Sequence, residues 1–157
     1  MQNNHNISIL VISITSPILI GVYKNNNLIE TIYQEGKTSD VLPIIFDKLL
    51  KKYIINSITY VNGPGSFMAI KVSYIFLKTI CIVNDIKLFA SSGFNYNQNS
   101  PIKALGKKYF FKAQDDKIEL DFLNDQSEIL PFKLPQMLNE DLLTTSCEPN
   151  YNLPAVN

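Results

Sequence analysis

Gly63-Pro64-Gly65-Ser66 stands directly ahead of a long apolar stretch that begins at Phe67. Two glycines before a helix suggest a loop that cradles a phosphate. A helix N-terminus offers unpaired N–H groups and partial positive charge, and glycine lets an anion approach the backbone. The nucleotide fingerprints are not met. A Walker loop needs a lysine and a hydroxyl directly behind its last glycine, and a dinucleotide fingerprint needs a third glycine where Met68 stands. Two readings stay open: anion binding by backbone alone, or a structural turn. In the structural reading Gly63 and Gly65 permit a sharp strand-to-helix reversal and Ser66 caps the helix. Gly65 is then a candidate for positive φ, where valine would cost about 1–3 kcal/mol.

The remaining residues capable of chemistry exclude more than they offer. His5 is the one histidine, which argues against a Ser-His-Asp site, a Cys-His site and a multi-histidine zinc site. Cys81 and Cys147 are far apart, with neither a disulfide framework nor a metal spacing, and suit a reducing compartment. The first three strands carry only Glu30 and Glu35, too few carboxylates for a two-metal nuclease. Fourteen basic and fourteen acidic residues balance, and no basic cluster exceeds Lys51-Lys52 or Lys107-Lys108. Nucleic-acid binding by this chain alone is therefore disfavoured, although a site shared with a basic partner passes the same test. No metal and no cofactor is expected. The N-terminus lacks a basic region and a cleavage pattern, so no signal peptide is expected. The run from Ile7 to Val22 is broken by Ser13, Thr15, Ser16 and Pro17, which argues against a membrane span. These features predict a cytoplasmic protein.

The elements that must position these residues follow from periodicity. "ISILVISI", Ile7 to Ile14, is continuous and β-branched, as in a strand buried on both faces. Thr15-Ser16-Pro17 reads as a tight turn. Two further strands flank Asn25-Asn26-Asn27, whose asparagines suit a hairpin. "TSDVLPIIFDKLLKKY" changes to helical spacing, with Ser39 or Asp40 as cap and Pro43 in or just after the first turn. "SITYVN" is a strand, a second helix spans about Ser66 to Val83, and "IKLFASS" is a buried strand. The last crossover makes its two strands parallel. The order β-β-β-α-β-α-β predicts a ribonuclease-H-like α/β lobe with a mixed five-stranded sheet over residues 1–96. Residues 97–157 form a reduced C-terminal lobe and tail, with a hairpin turning at Asp115-Asp116 and a short helical stretch "PQMLNEDLL".

The second helix is apolar nearly all round. Ala69, Val72, Phe76, Ile80 and Val83 can face the sheet, while Phe67, Ile70, Lys71, Tyr74, Leu77, Lys78 and Cys81 occupy the other side. A helix greasy on both sides is covered on both sides. The expected cover is a partner subunit meeting Phe67, Ile70, Lys71, Tyr74 and Lys78, joined by Val41, Leu42 and Ile45. The alternative is that the C-terminal segment folds back over it.

"ILVISITSP", "TSDVLP", "NGPGSFMAIKVS", "GKKYFFKAQ" and "EPNYNLPAV" occur in an order and spacing that resemble the TsaB family, of the actin/Hsp70-like ATPase superfamily. The most specific piece is Gly63-Pro64-Gly65-Ser66-Phe67, followed by Lys71 where that family usually has arginine. The resemblance implies a non-catalytic scaffold that dimerises with the catalytic paralogue TsaD and supports threonylcarbamoyl transfer onto the tRNA adenosine beside the anticodon. It further implies that the small ATPase TsaE joins, that tRNA is met only through the complex, and that a homodimer forms when TsaD is absent. The chain departs from the family where the superfamily uses an acid to organise magnesium, because that position is Ser13. Lys37 stands for a histidine, and Met68-Ala69 for Thr-Gly. Without a carboxylate at position 13 a metal–nucleotide site lacks a hard oxygen ligand, which speaks against the alternative of a small actin-like phosphotransferase or ATPase.

Overall fold

The computed structural model describes residues 6–151; His5 and the end of the "EPNYNLPAV" stretch lie outside them. Strand β1 (Ile7–Ile12) is buried at all six positions, five of them apolar and the sixth Ser8. It pairs antiparallel with β2 (Ile18–Lys24), which pairs antiparallel with β3 (Asn27–Gln34). The β2–β3 turn is the two-residue loop expected of asparagines, with Asn25 and Asn26 at φ of 50° and 65°. After helix α1 (Thr38–Lys52) comes β4 (Ser57–Val61), then helix α2 (Phe67–Asn84) and β5 (Lys87–Ser91). The sheet order is β3-β2-β1-β4-β5, with β4 parallel to β1 and β5 parallel to β4. The predicted mixed five-stranded sheet is therefore present. A second antiparallel sheet follows, ordered β6 (Ile102–Lys103), β7 (Lys108–Lys112), β8 (Ile118–Phe122), and the β7–β8 connection turns at Asp116, φ 62°.

Each face of the large sheet has its own core. On the helix side Leu42, Phe46, Leu49, Ile58 and Leu77 interlock. On the opposite side Leu10, Ile12 and Tyr23 pack with Phe94, Phe110 and Leu138, a cluster that also takes in Ile70 from α2. The second core draws on residues from both sides of position 96, so the small sheet is bonded to the back of the large one by shared burial.

Three local expectations change. Helix α1 starts at Thr38 with Lys37 in the cap position and no side-chain cap, so Ser39 and Asp40 lie inside the first turn. Pro43 falls deeper in the helix than the first turn and removes one internal hydrogen bond. The stretch "PQMLNEDLL" is mostly extended. Leu28 N–H donates to Gln136 O (2.9 Å) and Leu138 N–H to Asn26 O (2.8 Å), which commits that backbone to the β2–β3 hairpin and leaves only a 3-10 turn at Glu140–Leu142.

The C-terminal segment then closes the exposed edge of β5. Ala90 and Thr144 exchange backbone hydrogen bonds at 2.9 and 2.8 Å. The Cys147 thiol donates to Leu88 O at 3.0 Å, and the buried Tyr60 hydroxyl donates to Cys147 O. An edge so paired cannot template another strand.

The same segment settles the glycine-rich turn. Asn150 N–H donates to Asn62 O (2.7 Å), and Gly93 N–H donates to Gly63 O (2.9 Å). Gly63, at φ 134°, is the strained position, and a Cβ there would collide with the Asn150 carbonyl oxygen. Gly65 is not at positive φ, contrary to expectation; its added Cβ would stand 3.0 Å from Ile14 Cβ, so it is needed for close packing. Ser66 holds the cap position of α2 without a side-chain hydrogen bond. Gly63→Ala is expected to destabilise the fold by about 1–3 kcal/mol and lower the melting temperature. An unchanged melt would show that the tail is not anchored against this turn.

Candidate interaction surface on the paired helices

Helix α2 settles on the sheet through Ile70, Ser73, Leu77 and Cys81, which are its buried residues. Their spacing of three, four and four keeps them on one face of a 3.6-residue helix. The Ser73 hydroxyl meets the Ser13 hydroxyl just beyond the end of β1, 2.6 Å away, and both residues are buried. Burial pushes the Cys81 thiol up to about 11, against the opposing field of Lys78, so it is a protonated core group at neutral pH. Beside this face, Phe76 meets Phe46 of α1 edge-on, with ring centroids 5.9 Å apart. That contact joins the two helices.

This face differs from the one the periodicity suggested. Of Ala69, Val72, Phe76, Ile80 and Val83, four are only half-buried and Val83 is 75% exposed. Ile70 is fully buried, as is Leu42, and Val41 and Ile45 are each 8% exposed. In the single chain these four are buried rather than open. Tyr74 is half-buried and stacks on Tyr60, centroids 6.0 Å apart, so its ring belongs to the edge of the core. Phe67, Lys71 and Lys78 are exposed as expected. Phe67 is partly covered by Tyr151, centroids 4.2 Å apart, so the fold-back alternative holds for one flank of α2. Lys71 lies 6.0 Å over the Phe67 ring.

The surface left open is an apolar stripe that the sequence reading did not single out. Met68, Ile75 and Ile82 recur every seven residues and are 64%, 54% and 71% exposed. Two heptad steps keep them aligned along the helix, and that seven-residue recurrence was a signal available in the sequence. Among the described residues α2 is the one helix long and apolar enough to cross a membrane by length and composition. Its buried face on the sheet accounts for part of that apolarity, and this stripe for the rest.

A crevice of about 420 Å³ lies between the β1–β2 turn and the starts of both helices, lined by Ser13, Thr15, Ser16, Lys37, Ser39 and Ser66 among others. Its walls hold hydroxyls and one ammonium but no carboxylate, and Ser13 is already paired with Ser73. No group of three His, Cys, Asp or Glu side chains among the described residues could hold a metal ion. The crevice does not fit a magnesium–nucleotide complex.

No family model matches this sequence, and no curated protein matches it. Solved structures do. YeaZ from Pseudomonas aeruginosa superposes with a TM-score of 0.59 at 12% identity, over 80% of this chain and 67% of that one. This chain has a YeaZ-like fold. An uncharacterized protein with similarity to peptidase YEAZ, also from Pseudomonas aeruginosa, matches at TM-score 0.54 and 12% identity, covering 82% and 64% of the two chains. The chain thus spans about two thirds of the length of these neighbours. YeaZ is of the TsaB family, so the sequence resemblance and the fold point the same way.

Proposed function

We propose that this chain is a TsaB-like, non-catalytic subunit that docks a TsaD-like catalytic paralogue through the outer face of α2. In this reading it supports threonylcarbamoyl transfer onto the tRNA adenosine beside the anticodon. A TsaE-like ATPase joins the assembly, tRNA is met only within it, and the chain pairs with itself when the paralogue is absent. The observation that carries the reading is the exposed stripe Met68, Ile75 and Ile82 on a helix whose opposite face is committed to the core. Burying three such side chains contributes about 1–2 kcal/mol each, and Phe67, Lys71 and Lys78 flank them as a polar and aromatic rim. The YeaZ-like fold supports the family, and Ser13 in place of a carboxylate supports a supporting rather than a catalytic role.

Co-expression with the TsaD-like paralogue of the same organism tests it: a stable one-to-one complex is expected by size-exclusion chromatography with light scattering. Calorimetry of the isolated chain with Mg-ATP should show neither tight binding nor turnover. Micromolar affinity with hydrolysis would favour the small actin-like ATPase instead.

A further inference from the structure

We propose that the groove between β3 and α1 docks an extended, acidic polypeptide segment, which adds as a sixth strand to the open edge of the sheet. This site lies on the flank of α1 away from Phe46 and α2, and does not depend on the partner surface above. Three observations carry it.

The first is the backbone. β3 is an edge strand, and from Ile29 to Gln34 its outer side has no backbone partner among the described residues. The other edge, β5, is closed by the C-terminal segment, but this one is closed only at its beginning. There Met137 forms an antiparallel bridge with Asn27, so the edge already accepts an added strand over one residue pair. An incoming segment continues that pairing where the chain's own ends.

The second is the groove itself, about 570 Å³ between the edge strand and the helix. Its apolar floor is Ile32, Val41, Ile45 and Leu49, and Ile44, 61% exposed, forms the lip. An edge strand beside a helix, with apolar pockets between them, suits a peptide whose alternate side chains point inward.

The third is charge, which selects the occupant. Glu30 on the rim is occupied: Tyr53 donates to it at 2.6 Å and Lys52 at 3.2 Å. Asp47 is paired with Lys51. Lys48, which also lines the groove, is in no ion pair or hydrogen bond among the described residues. A carboxylate on the incoming strand supplies its counter-charge.

The test uses the full chain and a fluorescein-labelled peptide, Val-Thr-Val-Thr-Val-Glu-Glu, beside a control in which both glutamates are lysine. Saturable anisotropy is expected with the acidic peptide, and at least tenfold weaker binding with the control. Lys48→Glu and Ile44→Asp should each weaken the acidic peptide at least tenfold, while Ile75→Glu leaves it unchanged. Both changed side chains are exposed, and thermal melts confirm that the variants fold. Hydrogen exchange should slow on peptide addition at the outward-pointing amides of β3 between Glu30 and Gln34, which β2 does not already bind. Absence of saturable binding, equal binding of the two peptides, or protection confined to other strands overturns the proposal. So does an Ile75→Glu protein that stays dimeric until Ile44→Asp is added, because the occupant is then a second copy. None of these outcomes depends on whether a TsaD-like partner binds α2.

Discussion

Ile75→Glu is expected to abolish association with a TsaD-like partner, or with a second copy, while leaving the chain folded. Ile75 sits midway along the stripe between Met68 and Ile82, so a partner that covers the stripe desolvates position 75 most completely. Hot spots concentrate at such centres. A carboxylate held there without a cation loses its hydration and gains nothing. The penalty is about 3 kcal/mol or more, a loss in affinity of roughly a hundredfold. The same residue is 54% exposed in the single chain, so the monomer gives up little packing and its melting temperature should stay close to that of the parent. Light scattering and calorimetry on the purified variant decide it. Undiminished complex formation would remove α2 from the interface, and a variant that unfolds would show that Ile75 is structural.

Ile70→Ala should do the reverse. Ile70 is fully buried in the second core, which reaches α2 at this residue and includes Leu10, Ile12, Ile14 and Phe94. Removing its outer carbons in that close-packed setting leaves a cavity, at a cost of about 2–5 kcal/mol. Denaturant unfolding should shift to markedly lower midpoints, with affinity for the partner preserved in the fraction that stays folded. If stability is unchanged and association is lost, the helix is rotated from the orientation described here and Ile70 faces the partner after all. Together the two variants separate a core residue from a surface residue on one helix, five positions apart.

Much of the large sheet was legible in the chain because each element carries its own periodicity. The continuous β-branched run of β1, the asparagine hairpin and the helical spacing after Ser39 each have a local cause, and their order implies the five-stranded topology. The facing of α2 was not legible. Its sequence offers apolar stripes in several directions, and the buried one includes a polar residue, Ser73. That residue is stable there only because Ser13, sixty positions earlier, provides a hydroxyl partner, which no local pattern announces. The tail behaved in the same way. "PQMLNEDLL" scans as helical, yet Asn26 and Leu28 take up its backbone. Sequence by itself determined the order and type of the main elements and the glycine-rich turn before α2. Only the tertiary structure decided which face of α2 is free, which sheet edge is closed and that Gly63 rather than Gly65 bears the strain. Those outcomes depend on contacts between residues far apart in the chain, where burial and hydrogen-bond pairing override local preference.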